Sequence, residues 1–249
     1  MSGAAHPRIG CAGWSLGSAE RALFDAGDSM LARYATRFDA VEVNSSFYRP
    51  HKRATYRRWA DSVPAGFRFS VKMPKTITHE MGLRGVGDPL DRFLGEVEGL
   101  GPKLGGLLIQ LPPSLAFDAR VASTFFAMLR RRTAVPLACE PRHASWFTPS
   151  VEAMLRDRGV TRVAADPAPV AGAEHVAGGG TWRYWRWHGS PDRYYSRYDD
   201  AALIHLAAAV RTETPKGVVP WLIFDNTANG QATTNAMSLQ TLCGVGPVA

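Results

Sequence analysis

The amino-acid sequence predicts an α/β protein: a TIM-type (β/α)8 barrel with an irregular or missing sixth helix, formed as one domain by residues 1–249. Eight short apolar strand patterns alternate with amphipathic helix patterns along nearly the whole chain, which is the layout of such a barrel. The competing fold is a doubly wound open sheet, which usually carries a glycine-rich phosphate turn after its first strand. The segment from Gly10 to Gly13 is too short and wrongly spaced for that turn, so the barrel is preferred.

The strand predictions rest on short runs of apolar residues that are bounded by turn residues. They cover residues 8–13, 40–44, 67–72, 105–111, 136–140, 161–166, 183–188 and 221–225. The helix predictions rest on apolar residues that recur every three or four positions after a capping residue. The predicted helices begin near Asp88, Asp118, Ser150 and Asp199 or Asp200, and the last one covers residues 233–242. Residues 167–180 have no apolar stripe, so the sixth helix is expected to be short or missing.

The composition is that of a globular protein with an excess of positive charge. Hydrophobic residues make up 45% of the chain, which excludes the disordered, collagen-like and coiled-coil classes. The formal net charge is +7, and 24 of the 29 basic residues are arginine, whose planar guanidinium makes paired contacts with phosphate and carboxylate. This excess is typical of a protein whose partner is an anionic small molecule or a nucleic acid. A codon bias toward arginine explains it equally well.

Cysteine usage and the amino-terminal sequence predict where the protein is located. Cys11, Cys139 and Cys243 are far apart and form no C-x-x-C pair, so a reducing compartment is expected. Residues 1–8 are not followed by the apolar stretch of a signal peptide, and no apolar run approaches the roughly 20 residues that cross a bilayer. We therefore expect a cytoplasmic protein with no membrane partner. The oligomeric state is left open.

Polar side chains occupy one face of the predicted strands and define a candidate site. In the second strand Val41 and Val43 share one face, whereas Glu42 and Asn44 share the other, because side chains alternate along a strand. The apolar face must pack beneath the helices, so the polar face is predicted to point into the barrel. The polar residues near the carboxyl ends of the strands are Glu42, Asn44, Lys72, Gln110, Glu140, Asp166, His188 and Asp225. A purely structural network of ion pairs is the alternative, because buried charges must be paired.

The loops after four strands add basic and aromatic residues at the same end. After the second strand, basic residues crowd a helix start that is predicted at Pro50, and cations beside free backbone N–H groups indicate an anion site. A solvated basic surface is the alternative. The loops at 73–88 and 189–200 carry lysine, histidine, arginine and tyrosine, which suit contacts with a nucleic acid. Loops that act only as lids over a site have the same composition of lysine, histidine, arginine and tyrosine. After the fifth strand, Trp146 is a candidate stacking platform or a packed loop anchor.

Several short motifs occur in order over nearly the full chain. They are residues 9–14 (IGCAGW), 41–48 (VEVNSSFY), 67–74 (FRFSVKMP), 77–79 (ITH), 106–113 (GLLIQLPP), 140–143 (EPRH), 145–147 (SWF), 186–189 (RWHG), 224–227 (FDNT) and 235–236 (NA). In these motifs the chain resembles the YecE-like family, also called domain of unknown function 72. The resemblance implies a TIM-type barrel, in agreement with the periodicity. It implies no particular activity, because the family has no settled biochemical function.

The candidate residues support an enzyme hypothesis. The candidate catalytic residues are Glu42, Lys72, Glu140 and His188, and the candidate substrate-binding residues are Asn44, Tyr48, Arg49, His79, Gln110, Arg142, His143, Trp146, Arg186, Asp225 and Asn226. In this hypothesis the cations bind an anionic, phosphate-bearing substrate. Glu42 or Glu140 is a general base or orienting group, and His188 or His79 donates a proton. Lys72 forms a Schiff base only if it is deprotonated, and we expect neighbouring carboxylates to keep it charged.

No cofactor motif is present in the sequence, and the identity of any cofactor is left open. The carboxylates and His188 at the strand ends are of the types that bind a divalent metal. Cations on neighbouring strands would repel a metal and neutralise the same carboxylates, so we favour ion pairs and predict no metal ligands. Two alternatives to the enzyme hypothesis remain. One is a metal-dependent nuclease that cleaves phosphodiesters, and the other is a non-catalytic protein that binds a nucleic acid or nucleotide.

Overall fold

The computed structural model describes residues 6–246. The prediction about a signal peptide concerns the first eight residues, most of which lie outside the described residues. The chain folds as an α/β structure in which parallel strands alternate with helices. None of the helices formed by residues 6–246 combines the length and the apolar character that crossing a membrane requires.

Within residues 6–246, ten strands form two sheets. Strands β1 to β10 are Arg8–Cys11, Ala40–Val43, Arg68–Lys72, Leu104–Gln110, Leu137–Glu140, Val160–Arg162, Ala164–Asp166, Ala177–Gly178, Trp182–Trp187 and Val219–Phe224. One sheet has the order β1-β10-β9-β7, and the other has the order β2-β3-β4-β5-β6-β8. Neighbouring strands are parallel, except that β6 and β8 are antiparallel. All eight predicted strands are present.

In the described part of the chain, eight α-helices connect the strands. Helices α1 to α8 are Ser18–Arg21, Met30–Tyr34, Arg53–Asp61, Gly87–Val97, Ala119–Arg132, Pro149–Asp157, Asp200–Glu213 and Gln231–Leu242. Asp118 and Asp199 cap α5 and α7 as predicted, because each side chain accepts a hydrogen bond from a backbone N–H of the first turn. Residues 167–181 form no helix, and the short strand β8 lies there instead. The prediction that the helix after the sixth predicted strand is short or missing is therefore confirmed.

Two predicted helix starts differ from the structure. Helix α4 begins at Gly87, so Asp88 lies inside its first turn, where its charge favours the helix dipole but its side chain makes no cap. Helix α6 is capped by Thr148 rather than Ser150, because the Thr148 hydroxyl accepts from the N–H of Val151. Proline occupies the first position of α6, as is common at helix starts.

The two sheets adjoin at two places. At the first, Ala12, just after β1, forms a parallel bridge with Glu42 of β2. At the second, β6 and β7 belong to one chain segment and are separated only by Val163. Strand β6 pairs with β5, β7 pairs with β9, and the Val163 N–H donates to the carbonyl of Cys139 at 2.8 Å. The strands of the two sheets are thus neighbours at both of these edges.

A buried tyrosine hydroxyl links β1 to β2. Tyr34 is 0% exposed; its hydroxyl accepts from the Cys11 N–H at 2.9 Å and donates to the Ala40 carbonyl at 3.0 Å. Tyr34→Phe leaves both backbone groups without this partner, so we expect the free energy of unfolding to fall by about 1–3 kcal/mol. Urea denaturation measures the change, with Tyr195→Phe as the control because the Tyr195 side chain is exposed. Equal stability of the two variants would show that the link contributes nothing.

The alternation of side chains along the strands separates two apolar clusters. The larger cluster lies between the strands and the helices and includes Val41, Val43, Trp185 and Trp187. The smaller cluster is formed by side chains on the opposite faces of the strands. Its members are Ala12, Ala40, Leu108, Ala138, Val163, Trp182, Tyr184, Trp221 and Ile223. The predicted division between the two faces is therefore confirmed.

Candidate functional site

Arg186 of β9 is the centre of a buried polar cluster. Its side chain is 0% exposed and donates to Glu42 at 2.8–3.2 Å and to Glu140 at 3.1 Å, and its Nη2 forms an ion pair with Asp225 Oδ2 at 2.9 Å. Burial acts to lower the pKa of Arg186, but the charges of Asp225, Glu42 and Glu140 outweigh it and raise that pKa well above its ordinary value. Nε, Nη1 and Nη2 all contact carboxylates. This engagement argues against the predicted role of Arg186 in binding a substrate anion.

Glu42 of β2 is enclosed in the same cluster. Its side chain is 0% exposed, and its oxygens accept from Arg186 and from the Tyr184 hydroxyl at 2.8 Å. The Tyr184 oxygen also lies 2.8 Å from the hydroxyl of Ser70. A carboxylate that is held on both oxygens and shielded from solvent cannot reach a substrate proton. Of the two predicted roles of Glu42, general base or orienting group, the geometry favours the orienting one, toward Arg186.

His188 connects two carboxylates of the cluster. Its Nε2 lies 3.1 Å from Glu140 Oε1, and its Nδ1 lies 3.0 Å from Asp225 Oδ2. Burial acts to raise the pKa values of both carboxyls, but the charges of Arg186 and His188 outweigh it and lower them. Ionised carboxylates only accept hydrogen bonds, so a ring nitrogen of His188 that bonds one of them does so as the donor. Both ring nitrogens of the 1% exposed His188 side chain face these carboxylates, which argues against its predicted role as a proton donor to a substrate.

Glu140 of β5 lies among three cations. Besides Arg186 and His188, it accepts from Nε and Nη2 of Arg142 at 3.2 and 3.0 Å. These charges overcome burial and hold the pKa of Glu140 well below its ordinary value, so it is a weak base. Of its two predicted roles, the geometry fits the orienting one. Asp225 is likewise held by Arg186 and His188, so its predicted contact with substrate is wrong.

Lys72 is the last residue of β3 and is 5% exposed. Its Nζ lies 4.1 Å from the centre of the Phe47 ring, and its carbonyl accepts a 2.6 Å hydrogen bond from the Ser46 hydroxyl. Among residues 6–246 no carboxylate oxygen lies within 4.0 Å of Nζ. Burial, followed by the charge of Arg186, lowers the pKa of Lys72 to about 8. The charge of Lys72 is therefore retained below about pH 8, although the carboxylates that favour this charge are already engaged by other cations.

His79 and Gln110 lie beside Lys72 at the rim of the cluster. His79 belongs to a π-helical turn, Thr76–Glu80, and its ring packs edge-on against Phe47 at 4.8 Å. Gln110 is 5% exposed and ends β4, with its amide nitrogen 3.5 Å from His79 Nε2. Burial, followed by the charges of Lys72 and Arg142, lowers the pKa of the half-buried His79. This imidazole is therefore neutral near pH 7, and it is a better proton-transfer candidate than His188.

The basic loop after β2 does not form the predicted anion site. Helix α3 begins at Arg53, three residues after Pro50, and no side chain caps it. Arg53 pairs with Glu98 at 3.3 Å, and the His51 ring bonds the Ser45 hydroxyl at 2.8 Å. Since these basic side chains are turned toward protein partners, the helix start does not gather them around one point.

Three predicted binding residues near this loop lie at different depths. Tyr48 is 68% exposed and packs edge-on against Phe47 at 5.0 Å. Arg49 is also exposed, whereas Asn44 is half-buried. Within the described part of the chain, Asn44 Oδ1 is buried and has no hydrogen-bond partner. Of the three side chains, Asn44 is the one that is partly enclosed by protein, and Tyr48 contacts Phe47 at the surface.

Three other predicted binding residues have structural roles. Trp146 is 1% exposed and packs against Phe117, so it is a loop anchor and the stacking platform is wrong. The Nδ1 atom of His143 bonds the Ser145 hydroxyl and accepts from its N–H, which caps a short 3-10 turn. Asn226 is 0% exposed, and its amide group donates to the Ser196 carbonyl and to Asn235. It holds a loop in place and does not face substrate.

Two further residues belong to the site although they were absent from the predicted set. Phe47 carries the ring against which both Lys72 and His79 lie. The N–H of Tyr194 donates to the His188 carbonyl at 2.5 Å, and its ring lies edge-on to the imidazole at 5.8 Å. The mixture of arginine and tyrosine in residues 189–200 was the available signal for Tyr194, but only the fold places that loop over His188.

The polar cluster is not arranged as a metal site. Within residues 6–246 no group of three or more histidine, cysteine, aspartate or glutamate side chains is placed to hold a metal ion. The oxygens of the three buried carboxylates face arginine and histidine nitrogens instead. The side chains therefore satisfy one another as interlocked ion pairs.

Comparisons with known proteins identify relatives of this chain. A family model described as "Protein of unknown function DUF72" matches residues 8–248. The UPF0759 protein YecE of Escherichia coli K12 is 32% identical over 156 residues, which are 59% of this chain and 56% of that protein. The chain therefore matches little more than half the length of this curated relative.

Solved structures show the same fold. A DUF72 family protein from Enterococcus faecalis V583 superposes with a TM-score of 0.82 at 20% identity, covering 97% of this chain and 96% of that one. A sugar phosphate isomerase/epimerase from Parabacteroides distasonis superposes with a TM-score of 0.50 at 13% identity, covering 98% and 96%. Because the family model matches nearly the whole length of this chain, the chain belongs to the DUF72 family of proteins of unknown function.

Proposed function

We propose that the carboxyl ends of the strands form the active site of an enzyme that binds an anionic, phosphate-bearing small molecule. The observation that carries this proposal is the position of Lys72, a buried cation without a carboxylate within 4.0 Å among the described residues. An unpaired cation with little access to water is stabilised by an anionic ligand more strongly than an exposed cation is.

The charges around Lys72 favour the same kind of ligand. The carboxylates of Glu42, Glu140 and Asp225 are bonded by Arg186, Arg142 and His188, so they leave no surplus negative charge toward Lys72. Arg142 is 13% exposed and reaches the rim of the cluster. With His79 and Gln110 beside them, Lys72 and Arg142 supply the cations and hydrogen-bond donors that a phosphate or carboxylate requires.

In this proposal the residues have different tasks from those that their types alone suggest. Lys72 and Arg142 bind the anion, while Glu140 orients Arg142 through its paired hydrogen bonds. His79 transfers the proton, because it is half-buried at the rim and its pKa is lowered by burial and by Lys72. Glu42 and Arg186 form a buried ion pair that supports these groups.

The architecture that holds the site belongs to the same proposal. We propose that the two sheets close into one eight-stranded barrel, with β6 and β7 as halves of one strand, and that residues 1–249 form one domain. Strand ends of a closed barrel converge on one mouth, which accounts for contacts between side chains of β2, β5 and β9. The free thiols of Cys11, Cys139 and Cys243 suit a reducing, cytoplasmic compartment.

Binding of inorganic phosphate tests this proposal. We expect isothermal titration calorimetry at pH 7 to show one phosphate site per chain, weakened at least about tenfold in Lys72→Met, which corresponds to loss of about 1.4 kcal/mol. Because the pKa of Lys72 is about 8, its charge is present below that pH, and we expect binding to weaken as the pH rises through 8.

Lys216→Met is the matched control, since Lys216 is an exposed lysine in the turn before β10, at the opposite ends of the strands. This variant should bind phosphate like the unaltered protein. If Lys72→Met and Lys216→Met bind phosphate equally well, or if no phosphate site exists, the proposed function is wrong.

A further inference from the structure

We infer that Lys72 is a nucleophile that forms a covalent imine with a carbonyl group of the anionic substrate. This inference rests on the proposed function and narrows it to phosphate- or carboxylate-bearing aldehydes and ketones. It assigns to Lys72 a covalent role in addition to binding the anion.

The surroundings of Lys72 keep its amine available for reaction. A lysine that forms a salt bridge holds its ammonium charge, and the proton blocks the nitrogen lone pair. Here the carboxylates that neighbour Lys72 are already bonded to other cations. The groups around Nζ on every adjoining element are Phe47 after β2, His79 in the π-helical turn, Glu42 on β2, Glu140 on β5, Arg186 on β9 and Asp225 after β10.

Burial and the charge of Arg186 determine the charge state of Lys72. They lower its pKa to about 8, whereas the three carboxylates act in the opposite direction and are outweighed. At pH 7 the neutral fraction of such an amine is about 200-fold larger than that of a lysine with the ordinary pKa of about 10.4. A neutral amine in a desolvated site is the form that attacks a carbonyl carbon.

The groups beside Lys72 match the steps of imine formation. The Lys72 nitrogen bonds to the carbonyl carbon and loses a proton, and the carbonyl oxygen gains a proton to give a carbinolamine. The oxygen gains a second proton, the nitrogen lone pair forms the C=N bond as the C–O bond breaks, and the oxygen leaves as water, so that a protonated imine remains. His79 lies against the same Phe47 ring as Lys72 and is the nearest candidate to carry these protons. Arg142 continues to hold the anion throughout.

Reductive trapping tests the inference. The full chain is incubated at pH 7 with dihydroxyacetone phosphate or, separately, with pyruvate, and sodium borohydride then delivers hydride to the imine carbon. We expect one stable secondary amine per chain, located by peptide mass spectrometry on Lys72. The four other lysines, Lys52, Lys75, Lys103 and Lys216, are internal controls and should remain largely unmodified.

Lys72→Arg separates this inference from the proposed function. Arginine keeps a cation at the site, so phosphate binding measured by calorimetry should persist, but its guanidinium forms no imine and the adduct should disappear. If neither ketone is trapped on Lys72, or if all five lysines are labelled alike, the inference is wrong. Phosphate binding that still depends on Lys72 would then leave the proposed function standing, and loss of both results would end both.

Discussion

Arg186→Met is expected to destabilise the protein more than any other single change in the polar cluster. Removing the guanidinium leaves Glu42, Glu140 and Asp225 in the protein interior without their shared cation. Breaking a buried ion pair by removing one partner costs about 3–5 kcal/mol. We therefore expect urea denaturation, followed by tryptophan fluorescence, to show a loss of at least this size, and Arg186→Lys to lose less because it retains a charge.

Arg183→Met is the matched control for this prediction. Arg183 lies on the same strand and is half-buried, but it donates only to the neighbouring Trp182 carbonyl. Its replacement should change the free energy of unfolding by less than about 1 kcal/mol. Adding Glu42→Gln to Arg186→Met should cost less than the sum of the two single changes, because the pair is coupled. An Arg186→Met protein as stable as Arg183→Met would refute the central role of Arg186.

Glu140→Gln is expected to produce the second largest effect, and this effect depends on pH. The carboxylate accepts hydrogen bonds from Arg142, Arg186 and His188, and an amide removes the charge that all three require. We expect the free energy of unfolding at pH 7 to fall by about 3–5 kcal/mol. Differential scanning calorimetry between pH 3 and pH 7 measures the loss at each pH.

The direction of the pH effect follows from the lowered pKa of Glu140. Its carboxyl takes up a proton more readily in the unfolded chain than in the folded one, so its contribution to stability is complete above the ordinary value of 4.5. That contribution decreases as the pH falls below 4.5 toward the lower folded pKa. The difference between the unaltered protein and Glu140→Gln should therefore narrow in acid.

Glu98→Gln is the control for Glu140→Gln. Glu98 pairs with Arg53 at the surface, where its side chain is 62% exposed, and such pairs contribute about 0–1 kcal/mol. The stability of this variant should follow that of the unaltered protein from pH 3 to pH 7. A difference between Glu140→Gln and the unaltered protein that stays constant or widens in acid would contradict a lowered pKa at Glu140.

The strands and most helices were predictable because their information is local. Alternation in residues 40–44 and 183–188 showed which side chains share a face, and the two apolar clusters confirm that division. Caps such as Asp118 and Asp199 were recognisable because the side chain bonds a backbone group only three residues away. The helix start predicted at Pro50 was wrong by three residues, whereas the starts predicted near Asp88 and Ser150 lie within one residue of Gly87 and Pro149.

The roles of the site residues were less predictable, because they depend on partners far apart in the chain. Glu42 and Arg186 are both charged residues at strand ends, and from the sequence alone they resemble active-site groups. Their 2.8 Å contact joins residues 144 positions apart and makes them partners of each other. The role of Trp146 also depends on a residue distant in the chain, because its contact with Phe117 decides whether its ring is a stacking platform or a loop anchor.

The sequence by itself determined the family, the order of strands and helices, and the end of the strands at which polar side chains gather. These properties follow from periodicity and from motifs, which are local and need no knowledge of distant contacts. Only the tertiary structure decided which charges neutralise one another and which cation lacks such a partner. Coulomb energy and desolvation depend on distances and burial in three dimensions, so Lys72 became distinct only when Arg186 was seen to hold the carboxylates around it.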